Sequence, residues 1–275
     1  MSSLITKRYP KINWSLIDRV RAKNPIVLNL ANLVTIDKVA DAVSAVGASP
    51  IMSVEPAEAD EMVMLANALS INLGTINEHQ ATQIRTVLRA ATPLKPLVLD
   101  PVAVSAVPSR LKFAHSLLND FHFDVIRGNA SEIAALVEAD NTSHGIDAGK
   151  VPNQVQIAET CARRYHSIVV LTGETDIITD GQVVYENPFS AEMLTMNVGS
   201  GDMLSSIIAA FLGITTNTWD ACIVATVLVS AAGVLANRYS VGLGSWQVQF
   251  FDQLSIMDTK ALLEFFDESE EDYLD

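Results

Sequence analysis

Short, almost wholly apolar runs alternate along this chain with stretches of helical periodicity, and several of the runs end on a polar residue. Pro25-Ile26-Val27-Leu28-Asn29-Leu30, Ile51-Met52-Ser53-Val54, Leu69-Ser70-Ile71-Asn72-Leu73, Leu97-Val98-Leu99-Asp100, Val125-Ile126-Arg127-Gly128-Asn129 and Ser167-Ile168-Val169-Val170-Leu171-Thr172 each read as a strand. Helical patterns fill the gaps at 12–21, 35–46, 56–68, 108–119, 130–138 and 154–165, and a capping-box pattern, Asn77-Glu78-His79-Gln80, opens another. Such alternation implies an α/β chain: a parallel sheet with helices on both faces, joined by right-handed crossovers. Near Asp180-Gly181 the rhythm changes to a hairpin signal between Ile177-Ile178 and Val183-Val184-Tyr185. Met193 to Val198 reads as a further strand. Two long helices follow, then Gly242-Leu243-Gly244-Ser245-Trp246, then a helical tail whose acidic end, Glu268 to Asp275, reads as solvated and frayed. Asn141 to Val151 is the clearest irregular loop. No linker or repeat interrupts the pattern, so one domain over 1–275 is expected.

In sheets of this kind ligands gather outside the carboxyl ends of the strands. Asn32, Met52, Asp100, Arg127, Asn129, Thr172 and the stretch Gly199-Ser200-Gly201-Asp202 all fall there. In that last stretch two glycines one residue apart precede a carboxylate, and the apolar helical run Met203 to Phe211 follows. Glycines let the backbone lie against a ligand, and the helix mouth they open offers N–H groups and a positive dipole end to an anion. Asp202 would stand beside that anion site as a proton acceptor. A glycine loop with an acidic cap on a core helix accounts for the same residues taken alone.

Of the 275 residues 49% are apolar, ample for a buried core, and the formal net charge is −14. That charge argues against nucleic acid and anionic membranes as partners. An anionic nucleotide would have to be held by local donors and a metal. Cys161 and Cys222 lack metal-ligand spacing and read as packed free thiols of a reducing compartment. The first ten residues lack the apolar core of a signal peptide, and the greasiest segment, Ala221 to Ala236, is short for a membrane span. That segment reads as a helix buried on most sides, against a neighbouring subunit among other surfaces. A soluble, cytoplasmic protein is expected.

Asp100 should project from its strand end, where it could orient a magnesium-bound water; a loop cap is the plain alternative. Glu132, in Asn129-Ala130-Ser131-Glu132, suits a metal role, a capping box, or both. Arg127 ends an apolar strand and needs an anionic partner, either a phosphate or a carboxylate. Thr172-Gly173-Glu174 offers a hydroxyl and backbone donors to a nucleotide, or is a simple turn. His79, His115 and His166 look like surface or helix-end residues, and no Ser-His-Asp order, zinc spacing or G-x-x-x-x-G-K-[ST] loop occurs.

Taken together, these residues resemble the hydroxyethylthiazole kinase family of thiamine salvage, within the ribokinase-like superfamily. The matching stretches, in order, are Gly47-Ala48-Ser49-Pro50-Ile51-Met52, Asn72-Leu73-Gly74-Thr75, Leu99-Asp100-Pro101-Val102, Arg127-Gly128-Asn129-Ala130-Ser131-Glu132-Ile133, Gly145-Ile146-Asp147-Ala148, Leu171-Thr172-Gly173-Glu174-Thr175-Asp176 and Gly242-Leu243-Gly244-Ser245. The resemblance implies a ribokinase-like fold and transfer of the γ-phosphoryl of ATP, with Mg2+, to the primary alcohol of 4-methyl-5-(2-hydroxyethyl)thiazole. It implies thiazole contacts at Met52 and Gly199, with Asn32 and Val34 nearby, and ATP contacts at Arg127 and Thr172. It also implies metal organisation by Asp100 and Glu132, Asp202 as base beside Gly199, Ser200 and Gly201, and a homotrimer with sites between subunits. Two departures stand out. Many family members carry Cys where this chain has Asp202, and the family's H-x-x-T-N-x-V reads Leu28-Asn29-Leu30-Ala31-Asn32-Leu33-Val34 here. The second leaves room for a kinase of another small alcohol. A dehydratase of hydrated nicotinamide cofactors and a non-catalytic thiazole or nucleotide sensor are the other readings.

Overall fold

The computed structural model describes residues 12–138, 153–187 and 189–272. The N-terminal decapeptide, the 141–151 loop, the Gly145-Ile146-Asp147-Ala148 match and the last three residues lie outside them. Eight strands form one sheet: β1 (Ile26–Leu30), β2 (Ser49–Met52), β3 (Ala68–Asn72), β4 (Leu97–Asp100), β5 (Val125–Asn129), β6 (Ile168–Thr172), β7 (Asp176–Thr179) and β8 (Val184–Asn187). Their spatial order is β2-β1-β3-β4-β5-β6-β7-β8. The pairs from β2 through β6 are parallel, and β7 and β8 add an antiparallel hairpin at the far edge.

The strands are continuous apolar runs because both faces are covered. Val27, Ala68, Val98, Val125 and Val170 point to one face, under helices α1 (Leu16–Lys23) and α2 (Ile36–Ala45) and the C-terminal helices. Leu28, Leu69, Leu97, Leu99, Ile126 and Val169 point to the other. That face is covered by α3 (Ala59–Leu65), α4 (Glu78–Ala91), α5 (Pro108–Asp120), α6 (Ala130–Glu138) and α7 (Gln154–Tyr165). Pro50 is tolerated inside β2 because β2 is an edge strand, where a missing N–H leaves no neighbour unpaired.

Three expectations need correction. Met193 to Val198 is not a strand: Glu192–Met196 form a short helix, α8. Glu, Met and Leu favour helix, and β8 closes the sheet without calling on this segment. The helix expected over 56–68 is a 3-10 turn, Pro56–Glu58, followed by α3, because Ala68 already pairs with Val27. The second strand starts two residues earlier than read, at Ser49.

The remaining helices are α9 (Ser200–Leu212), α10 (Thr218–Tyr239), α11 (Leu243–Ile256) and α12 (Thr259–Asp272). Every residue of α9 from Met203 to Leu212 is buried. α10 is long and apolar enough to cross a membrane, yet 83% of its most apolar window is buried within the fold. Most of its apolar surface is therefore covered within the chain itself. Both cysteines are free and buried, and burial pushes the Cys161 thiol up to about 12.

The core around α9 sets the helix mouth that carries Gly199 to Asp202. Phe211→Ala, at a fully buried position, should cost about 3–5 kcal/mol, read as a lower midpoint in urea unfolding.

Candidate active site

Parallel pairing brings the polar strand ends into one row: Asn72 lies beside Asp100, and Asn129 beside Thr172. α9 enters this row from one face. Gly199, its N-cap, has φ +97°, a left-handed conformation that favours glycine, and a Cβ there would sit 2.7 Å from Thr35 Cγ2. The Ser200 N–H turns back to the Asn197 carbonyl at 3.2 Å. The N–H groups of Gly201 and Asp202 belong to the turn that no intrahelical carbonyl serves.

Arg127 spans the row. Its guanidinium donates to Thr172 Oγ1 at 2.6 Å and meets Asp100 Oδ2 at 3.3 Å. It also lies flat against Gly201, where any side chain would overlap it. Both alternatives for Arg127 are thus open at once: a carboxylate partner is in place, while the group lines a cavity of about 450 Å³. That cavity is bounded by Arg127, Asn129, Thr172, Gly173, Asp176 and Gly199 to Gly201, with Phe189, Leu194 and Val229 forming an apolar side.

Asp100 is fully buried. Oδ2 accepts from Ser205 at 2.8 Å and from Arg127, whereas Oδ1 has no hydrogen-bond partner. Burial pushes this carboxyl up to about 7, the charges of Asp202 and Glu132 add to the shift, and Arg127 pulls against it. Glu132 is committed to backbone: Oε1 accepts from Ala103 N–H at 2.7 Å and Oε2 from Asn129 N–H at 2.9 Å, while Asn129 Oδ1 caps the Glu132 N–H at 3.0 Å. The capping box read from the sequence is therefore present. It also holds Ala103 at φ +59°, a conformation rare for a residue with a Cβ.

Among the described residues no cluster of three or more His, Cys, Asp or Glu side chains forms a metal cage. The donor set still suits a hard cation that keeps most of its water, because mutually repelling carboxylates converge here and Asp100 Oδ1 is unpaired.

Asp202 lies on the other side of the helix mouth, toward β1 and β3, and is partly exposed. Its Oδ2 accepts from Asn32 Nδ2 at 2.6 Å and Thr35 Oγ1 at 2.5 Å, and its Oδ1 from Asn72 Nδ2 at 3.0 Å. Val34 gives its backbone N–H to Asn32 Oδ1 at 2.9 Å, and its side chain is exposed. Met52 is half-buried at the end of β2 and packs on the core. Neither Met52 nor Val34 lines the 450 Å³ cavity. Thr35, Asn72, Ser205, Lys38 and Asp176 received no role from the sequence. Lys38 clamps Asn197 Oδ1 at 3.0 Å and the Val198 carbonyl at 2.9 Å. Asp176 is half-buried on the cavity wall; desolvation raises its carboxyl, and Gly173 N–H, Asn187 and Ser230 donate to it.

The model of the hydroxyethylthiazole kinase family matches residues 17–260. The chain belongs to that family. A relative named hydroxyethylthiazole kinase from Levilactobacillus brevis is 49% identical over 244 residues, covering 87% of this chain and 93% of its own. A solved hydroxyethylthiazole kinase from Pyrococcus horikoshii superposes with a TM-score of 0.82 at 29% identity, covering 90% of this chain and 93% of that one. A ribokinase-like superfamily protein from Enterococcus faecalis, at 15% identity, TM-score 0.62 and coverage of 88% and 94%, shares the fold. This member of the family is therefore a ribokinase-like kinase, in accord with the resemblance carried by the motifs.

The raised Asp100 carboxyl gives a signed pH effect. The folded chain holds this proton up to about pH 7 while the unfolded chain releases it near its ordinary 3.8. Folding stability should therefore fall as pH rises through that interval. Asp100→Asn cannot ionise, so in metal-free buffer its stability relative to the wild type should be higher at pH 8 than at pH 5, by up to a few kcal/mol, in urea melts at the two pH values.

Proposed function

We propose that this kinase phosphorylates the primary alcohol of 4-methyl-5-(2-hydroxyethyl)thiazole, with ATP as donor and Mg2+ as the metal. The observation that supports it most is a carboxylate in the first turn of α9, held by three side-chain donors next to an open run of N–H groups, in a chain of this family. Mg2+-ATP, when bound, supplies the γ-phosphoryl group and the positive charge that its transfer needs. Arg127 and Thr172 hold phosphate oxygens on the cavity side. The N–H groups of Gly201 and Asp202 face the charge that develops during transfer. Asp100 Oδ1 is the free acceptor for a metal-bound water, and Glu132 keeps the 101–103 turn in place behind it. Asp202 takes the proton of the attacking hydroxyl.

The thiazole contacts at Met52, Gly199, Asn32 and Val34 belong to the same proposal. So does a homotrimer, with part of each site from a neighbour: Leu33 and Val34, which follow Asn32 in the chain, and Val54, on the crevice with Ala31 and Asn72, are more than half exposed. A cytoplasmic location, without nucleic acid or membrane partners, accords with the net charge of −14.

A kinase for another alcohol draws its support from the lost His and Thr. Leu28 weakens that reading, since it is wholly buried in the sheet's far core and exposes nothing to a ligand. Ala31, which borders a small crevice with Asn72 and Gly74, is the one of the two positions open to a substrate.

An ADP-release assay over a panel of small primary alcohols, with and without Mg2+, should give the highest kcat/KM with the thiazole alcohol and none without metal. Turnover of hydrated nicotinamide cofactors instead, or nucleotide binding without ADP, would replace this reading. Asp202→Asn should lower kcat by about 10² to 10⁴ while nucleotide still binds, checked by the same assay and by calorimetry.

A further inference from the structure

The environment of Asp202 is more specific than a base in a helix turn requires. A carboxylate has about four lone-pair directions. Asn32 and Thr35 occupy Oδ2 at 2.6 and 2.5 Å, and Asn72 occupies one position on Oδ1 at 3.0 Å. Among the described residues no other donor reaches the group.

The two amides cannot be turned the other way. Asn32 Oδ1 accepts the N–H of Val34 at 2.9 Å, and Asn72 Oδ1 accepts the N–H of Gly74 at 2.8 Å. Each asparagine thus closes a turn on the backbone two residues ahead, which forces its NH2 group toward the acid. The turns nest because position 74 has no side chain: a Cβ there would lie 2.8 Å from Asn32 Cβ and 2.9 Å from Asn72 Oδ1.

Thr35 supplies the third sign. It stands at the N-cap of α2, where a threonine hydroxyl ordinarily caps the helix, yet it makes no cap bond. Its hydroxyl has one proton to give and stands closer to Asp202 Oδ2, at 2.5 Å, than to Asn32 Oδ1, at 3.1 Å, whose oxygen already accepts the Val34 N–H. Its methyl group meanwhile fills the space beside Gly199. One residue thereby ties the acid to the phosphate-facing turn.

We propose that Asn32, Thr35 and Asn72 are positioning residues that occupy three of the four acceptor directions of Asp202 and leave one, on Oδ1, for the substrate hydroxyl. This deepens the reading of Asp202 as the base and rests on it. With one acceptor direction left, on Oδ1, the alcohol oxygen must arrive there to lose its proton. As it attacks, the new O–P bond forms, the bond to the leaving nucleoside diphosphate breaks, and the proton passes to Asp202 Oδ1. The oxygen-to-donor pairing also explains why a carboxylate suits this place: an amide at 202 would present N–H groups to donors.

The test uses substitutions that keep shape: one removes a donor, the other replaces a donor with a like charge facing the acid. Thr35→Val removes the hydroxyl. Asn72→Asp keeps the acceptor for Gly74 and puts a carboxylate where the donor was. Each should lower kcat about 10- to 100-fold, as expected for losing a hydrogen bond to a charged group. KM for ATP should stay near the wild-type value, because neither residue lines the 450 Å³ cavity. Thr35→Ser should restore most of the kcat lost in Thr35→Val. The inference is overturned if Thr35→Val and Asn72→Asp turn over at the wild-type rate while Asp202→Asn is inactive. It is also overturned if Thr35→Ser is as impaired as Thr35→Val, or if both activity losses track a lower melting temperature and a higher KM for ATP. If Asp202→Asn itself keeps wild-type kcat, the assignment of the base fails instead.

Discussion

At the carboxyl edge of the sheet the buried Asp100 carboxyl stands in the field of Asp202 and Glu132, and among the described residues Arg127 is the cation paired with it. Burial makes the Asp100 carboxyl costly to ionise, Asp202 and Glu132 add to that cost, and Arg127 is the charge that offsets it most. Taking charges out of water is expensive unless each is paired and hydrogen-bonded. Here the pairing is unequal. Glu132 takes two backbone N–H groups and Asp202 takes three side-chain donors, while Asp100 is left with one oxygen bare. Burial accordingly pushes the Asp100 carboxyl up to about 7. A hydrated divalent cation held beside Asp100 would offset that cost with positive charge, so the electrostatic strain and the proposed metal share one place in the fold.

The arrangement depends on places where side chains are missing. Arg127 can reach Thr172 and Asp100 together because Gly201 leaves the space for its guanidinium. Asn32 and Asn72 can both face Asp202 because Gly74 leaves space between them. The net charge of −14 fits this economy. An acidic chain cannot attract a nucleotide through its overall field, so attraction has to come from donors within the cavity: one guanidinium, hydroxyls and the open N–H groups of a helix mouth.

The sheet was legible because both its faces are buried, which turns strands into apolar runs that stand out from helical stripes. The strand ends were legible for the same reason: Asp100, Arg127 and Thr172 are polar residues on apolar runs, and all three meet. What could not be read is what long-range packing decides. Asn72 and Thr35 contact Asp202 across 130 and 167 positions of sequence, and Ser205 contacts Asp100 across 105. Thr35 was further disguised by its place at a helix start, where capping is the ordinary use of a threonine. The apolar run at Met193 was misread because short apolar runs carry no period that separates strand from helix. In the fold β8 is the edge strand, and this segment forms a short helix instead of pairing with it.

The same packing links stability to the site. α9 must be rigid for Gly201 and Asp202 to keep their aim, and its burial from Met203 to Leu212 makes it so. α2 then braces the turn from outside: Lys38 holds the carbonyl of Val198 and the amide of Asn197, and Thr35 holds the acid. A helix that served only as a core element would not need its N-cap threonine turned away from its own backbone. α2 gives up that cap, ordinarily a contribution of about 1 kcal/mol, and gains nothing for its own helix in return. The loss makes sense only if what the hydroxyl holds matters more to the protein than the end of the helix it leaves open.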